Sequence, residues 1–293
     1  MPAAAAPLVA DTWWVGVLLE GTGAGLSASG KLMWRHAAKS PDPIRWYIFG
    51  SLLSMVLYPC LDTVAYAFTS QQILSASSGY IITFNMVGAT LFLRETLTVS
   101  RATAVVFIVF GSVASVAFGN HLEYNYMPDD YWHLLTQPSA IVYYLLLLGA
   151  ICASCWLLFA PSGRRMLVDE QRPVLMASLG GGTAGNMWVT KVAMELLGCT
   201  TRRDESHSGC TLAVLVPTFV LLTLTLSIHL ISLGLLAYGL RTGSALQLVT
   251  AYEASALLTS ALSSALVLSE YTGMTAATLI LFYGLGILPI LLG

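Results

Sequence analysis

Apolar stretches of about 20 residues recur along the whole chain, separated by short polar breaks. A helix of that length rises about 30 Å, the thickness of the hydrocarbon layer of a bilayer. The pattern predicts nine such spans, near 13–33, 44–68, 73–93, 102–119, 139–160, 173–195, 211–238, 244–269 and 273–292. The breaks carry turn chemistry, as in Ser40-Pro-Asp-Pro43, Pro161-Ser-Gly163 and Thr272-Gly273. Trp13, Trp14, Trp46, Tyr47 and Trp132 cluster at span ends, where aromatic rings anchor helices at the membrane interface.

Segments of the first half return in the second in the same order. Gly21-Thr-Gly-Ala24-Gly25 with Lys31 is echoed by Gly181-Gly-Thr-Ala184-Gly185 with Lys191, at one common spacing. Ala65-Tyr66-Ala67-Phe68 returns more weakly as Ala237-Tyr238-Gly239-Leu240, and Arg94-Glu95 as Ser269-Glu270. Such echoes suggest a duplicated membrane unit. Spans one to four then correspond to spans six to nine, and the fifth links them. Four crossings return the chain to its starting side and the fifth carries it across, so the second set is inverted. The expected fold is an all-α integral membrane protein of nine transmembrane helices. It forms one membrane domain over 1–293, with a first repeat about 13–119, a linking helix about 139–160 and a second repeat about 173–292. The paired Gly-x-x-x-Gly motifs are expected to let backbones approach in both repeats.

Composition agrees. The 293 residues are 56% hydrophobic and 10% charged, and the mean hydropathy is +0.75. A soluble domain needs roughly 25% charged residues to solvate its surface. A net charge of −2 points away from nucleic acid and from a polybasic lipid-binding role. The first ten residues lack the basic n-region of a secretory signal. With the N-terminus exterior or luminal, one side of the membrane receives Lys31, Arg35, Lys39, Arg45, Arg94, Arg101, Arg164, Arg165, Arg172 and Arg241. The other side receives Arg202 and Arg203 with the acidic loop around Glu123, Asp129 and Asp130. That asymmetry places the C-terminus in the cytosol.

Ionisable groups inside spans point to function, because a charge in hydrocarbon is costly unless it meets a partner or water. Glu20 and Asp62 lie in the outer parts of the first two spans, where two carboxylates suit a divalent cation. Glu20 reads equally as a pathway or an interfacial residue. Asp62 follows Pro59, whose ring frees a backbone carbonyl that can also act as an oxygen ligand. Glu253 sits near the middle of span eight with no basic residue within a helical turn, so it is expected to be protonated or to face a hydrated cavity. Asn85, Asn186 and Thr259 are candidate pathway residues; the amides can equally bond across helices. Glu95 and Glu270 end equivalent helices and are expected to cap or pair with the next one, a structural or gating role. Lys191 is expected to snorkel or to pair with Glu195 four residues on. Cys199 and Cys210 bracket a short exterior loop that a disulfide could close, while Cys152-Ala-Ser-Cys155 reads as ordinary buried cysteine. His229 reads as a hydrogen-bonded core histidine. Nothing resembles a zinc HExxH, a nucleophile elbow or a catalytic pair, so an enzyme is not expected and no cofactor is implied.

Several of these residues together resemble a known family. Trp46, Gly50, Ala65-Tyr66-Ala67-Phe68, Phe92-Leu93-x-Glu95-x-Leu97-Thr98, Gly111-Ser112 and Phe118-Gly119 resemble the NIPA-like magnesium transporters of the drug/metabolite transporter superfamily. Leu233-x-x-Leu236-Ala237-Tyr238, Thr259 and Leu268-Ser269-Glu270-Tyr271 are similar to that family's second half, and Lys191 falls where the family tends to carry a lysine. The family's lysine-rich segment after the first span is thinned here to Lys31, Arg35 and Lys39. The resemblance implies nine helices, an exterior N-terminus and transport of Mg2+, with other divalent cations as further candidates. The expected pathway runs between the two inverted halves, with Glu20, Asp62 and Glu253 as metal-facing groups, in a plasma or endosomal membrane. A homodimer is left open. The competing expectation is a proton-coupled carrier of a small organic solute.

Overall fold

The computed structural model describes residues 8–9, 12–37, 40–92, 98–123, 128–169, 171–201, 214–240, 245–272 and 274–292. In order along the chain, α1 (Trp13–Ala37), α2 (Pro43–Ala65), α3 (Gln71–Ser77), α4 (Gly79–Phe92) and α5 (Val99–Phe118) form the first half. Next come α6 (Pro128–Thr136) and α7 (Pro138–Phe159), then a single turn at Pro161–Arg164. The rest is α8 (Gln171–Ala184), α9 (Trp188–Thr201), α10 (Leu215–Gly239), α11 (Ala245–Leu266) and α12 (Ala276–Leu292). A two-residue antiparallel pair, β1 (Leu8–Val9) and β2 (Leu122–Glu123), ties the start of the chain to the segment after α5.

Prolines shape two of the helices. Pro59 has no N–H to give the carbonyl one turn back. Just before it, residues Leu52–Leu57 widen into a π turn, and the Tyr58 N–H reaches Leu53 O, five residues back. The same solution appears in α12, where the π turn Phe282–Ile287 precedes Pro289 and the Leu288 N–H bonds Tyr283 O.

Each stretch predicted as a span holds a helix, but the third and sixth are interrupted. In the sixth, the Asn186 side chain donates to Gly182 O and Thr183 O at 3.2 and 3.0 Å. It takes up carbonyls that would otherwise receive the next helical N–H groups. In the third, Ser75, Ser77 and Ser78 donate back to Gln72 O, Ile73 O and Ser75 O, and the helix breaks before Gly79. The segment read from sequence as an acidic loop contains α6 instead. Pro128-Asp129-Asp130 has the residue types that open a helix.

Among the described residues, α2, α7 and α10 are long and apolar enough to cross a bilayer, and 102–118 and α12 are shorter apolar helices. The more polar helices α1, α8 and α11 carry Glu20, Lys31, the glycine runs and Glu253. They pack inward, where a helix needs no apolar coat on every side. Helix α8 lies on α10 and α11, α1 lies on α2 and α4, α11 also contacts α3 and α4, and α5 packs on α12. The core is shared by both ends of the chain: Trp34 of α1 packs with Ala177, Leu233 and Tyr252, and Ala76 and Ile82 with Leu257 and Phe282.

Glycine packing corrects one expectation. A side chain at Gly181 or Gly185 would run into the backbone of Tyr252 or Ala256, so α8 meets α11 backbone to backbone. A side chain started at Gly21 or Gly25 would meet nothing within 4 Å from another element. The close contact of α1 with α2 uses a different stripe, Gly16, Gly23 and Gly30, which face Ala65, Tyr58 and Gly50. These lie seven residues apart, two turns each, and so line one face of the helix.

Candidate functional site

Four charged side chains meet in the interior: Glu20 and Lys31 of α1, Asp62 of α2 and Glu253 of α11, exposed by 1%, 2%, 5% and 3%. Glu20 and Lys31 are three turns apart and therefore on one face of α1. Tyr58 and Asp62, one turn apart on α2, face Glu20. The Tyr58 hydroxyl donates to Glu20 Oε1 at 3.4 Å. The Asp62 carboxyl lines the same buried cavity as the Glu20 carboxyl, and Glu20 Oε2 meets no donor from the protein. Two carboxyl groups buried on one cavity wall favour uptake of a proton or a cation.

The other two charges satisfy each other. The Lys31 ammonium forms an ion pair with Glu253 Oε1 and lies over the Tyr252 ring, 5.3 Å from its centre. The Tyr252 hydroxyl is 3.4 Å from Ser232 Oγ, which fixes the ring. Glu253 is therefore not a carboxylate without a partner. Its counter-charge comes from a helix far away in sequence rather than from its own. Lys31, counted from sequence among the charges on one membrane face, is buried instead.

All four groups line one cavity of about 40 Å³, walled also by Ser27, Ser75, Ser78, His229 and the helix break at Ala184 and Gly185. At about 10–15 Å³ per water this holds roughly three water molecules, and no organic solute fits it in this conformation. Among the described residues no three His, Cys, Asp or Glu side chains are grouped to hold one metal ion. The trio expected from sequence is divided into a Glu20–Asp62 pair and a Glu253 occupied by Lys31.

Asn85, Asn186 and Thr259 are not part of that wall. Asn186 accepts from the Tyr143 hydroxyl at 2.7 Å, a bond from α7 to the break after α8. Thr259 donates to Ser255 O and packs against Gly185. Asn85 is buried in α4 with neither amide atom bonded to protein.

Glu270 and Lys191 form part of a polar latch at one end of the cavity. The Glu270 carboxylate accepts the Gln71 and Gln72 N–H groups at 3.0 and 2.9 Å, a favourable place for a negative charge. It thus caps α3 in the other half and not the following helix, because Ser269, at φ 53°, turns the chain back. Lys191 pairs with Glu195 at 3.0 Å and also donates to Tyr66 O and Thr69 O, closing the end of α2. Gln71 Nε2 donates to Ser260 O and Ser263 Oγ, and Gln137 Nε2 to Leu266 O and Val267 O. Glu95, Cys210 and the Cys199 side chain lie outside the described residues. Cys60, Cys152 and Cys155 are unbridged, with Cys60 and Cys152 exposed.

The helices and their buried charges define a helical membrane protein. A stretch of 92 residues, 31% of the chain, is 29% identical to the probable magnesium transporter NIPA8 of Arabidopsis thaliana and spans 21% of that protein's length. No protein-family model matches the sequence, and no solved structure matches it.

Proposed function

We propose that this protein transports divalent cations, Mg2+ first among them, through the cavity at Glu20 and Asp62. The observation that carries the reading is a pair of buried carboxyls, Glu20 and Asp62, on the wall of one small cavity, with a Glu20 oxygen that no protein donor reaches. Two carboxylates neutralise one divalent cation. Mg2+ gives up its water reluctantly and binds through one or two carboxylates while keeping several waters. The Ser27, Ser75, Ser78 and Tyr58 hydroxyls on the wall are suited to hold those waters. The likeness to a protein named a probable magnesium transporter supports the same substrate.

The wider reading is nine crossings in two inverted repeats joined by α7, with the N-terminus exterior and the C-terminus cytosolic. The cavity then lies between the repeats, where alternating-access carriers bind their cargo. In that orientation the Glu270 latch closes the exterior side. The test is thermal stabilisation of purified protein by MgCl2, other divalent chlorides and organic solutes at matched ionic strength. Mg2+ is expected to raise the melting temperature of the wild type but not of Asp62→Asn. Stabilisation by organic solutes and by no divalent cation would overturn the proposal.

A further inference from the structure

We infer that Lys31 is a tethered cation that holds the Glu253 carboxylate in the cation-free protein and must leave it when a divalent cation binds. The inference rests on the transport reading and assigns to that site a competitor built into the chain.

Glu20, Asp62 and Glu253 line one cavity, yet only the third is bound to a cation, Lys31. A buried carboxylate without a counter-charge is strongly unfavourable. The ammonium therefore does for Glu253 in the empty site what a metal ion would do in the filled one. Glu253 and Lys31 line the same cavity as Glu20 and Asp62, so a cation seated at Glu20 and Asp62 attracts Glu253 and repels Lys31. The lysine side chain has four flexible methylenes on which to move its charge. Ser27, one turn earlier on the same face of α1, offers an oxygen with no protein partner on the cavity wall. It is an acceptor for the displaced ammonium.

Two properties follow. The empty cavity can close to the size of a few waters because the ammonium covers Glu253, as a carrier requires on its return step. The exchange also discriminates by charge. A monovalent ion replaces one unit of charge at Glu253 with another, whereas a divalent ion adds a unit beside Glu20 and Asp62. Lys31 is thereby a specificity-determining residue, a device that works by competition against the wrong ligand.

The experiment reads the Mg2+ concentration that gives half-maximal thermal stabilisation of the purified full chain at fixed ionic strength. Lys31→Met removes the competitor and is expected to lower that midpoint by about tenfold. Glu253→Gln leaves the ammonium uncompensated beside the site and is expected to raise it by about the same factor. Lys31→Met strands a buried carboxylate and can fail to fold, so the series includes the neutral double variant. Adding Lys31→Met to Glu253→Gln is expected to bring the midpoint back down. A midpoint that does not respond to Lys31 in either background, while Mg2+ still stabilises the wild type and not Asp62→Asn, overturns the inference and leaves the transport reading standing. Absence of Mg2+ stabilisation in the wild type and in every variant overturns both.

Discussion

Asp62 and Glu20 share a cavity whose walls give Glu20 too few donors. Tyr58 gives Glu20 one hydrogen bond, and its second oxygen has none from the protein. An amide at position 62 would add a donor to the wall that Glu20 lines without changing shape. Asp62→Asn is therefore expected to leave the cation-free protein as stable as the wild type or more so, by about 1 kcal/mol for a buried bond gained. The same change removes the Mg2+ response. Melting curves with and without Mg2+ separate the two effects; a variant that unfolds in both conditions would make Asp62 a structural residue only. The acids were legible in the sequence because a carboxylate in an apolar stretch stands out. Lys31 was not, because it lies four residues before Arg35 near a helix end and reads as one more interfacial charge. Its partner is on α11, and no local spacing encodes that contact. The one available clue was chemical: a buried Glu253 needs a counter-charge, and few cations could reach it.

Helix packing sets where these residues stand. The Gly181 and Gly185 contacts press α8 onto α11 beside Tyr252, Glu253 and Ala256. Gly185→Val is expected to cost roughly 1–3 kcal/mol through overpacking and to displace Glu253 from the cavity. Gly21→Ala and Gly25→Ala meet open space and are expected to be neutral or to stabilise by roughly 0.5–1 kcal/mol, as alanine does inside a helix. Equal destabilisation at both glycine pairs, read from melting temperatures, would contradict this packing. The sequence made the two motifs look equivalent because repeated letters do not say which face of a helix is covered. Helix positions were readable from apolar length, whereas the breaks at Ser78 and Asn186 were not. They depend on side chains bonding their own backbone, a competition that hydrophobic pattern does not register.

Across the molecule, the latch of Glu270, Lys191 and Gln71 ties the first half to the second at one end of the cavity, and Gln137 ties the start of α7 to the end of α11. Loosening it should open that end to water. In a cysteine-free background, Ser75→Cys places a thiol on the cavity wall, where a charged thiol reagent applied to that end is expected to react slowly. Adding Glu270→Ala removes the cap from α3 and is expected to speed that labelling severalfold. Unchanged labelling would mean that Glu270 holds a helix without guarding an entrance.

The most direct measurement of the central claim is Mg2+ entry into vesicles reconstituted with the purified protein and loaded with a Mg2+-sensitive dye. Wild-type protein is expected to carry Mg2+ down its gradient above the rate of protein-free vesicles. Glu20→Gln and Asp62→Asn, folded and reconstituted to the same density, are expected to fall to that background. Entry at the wild-type rate through vesicles carrying Asp62→Asn would contradict the account, because the cation would then cross without the carboxyl pair proposed to hold it.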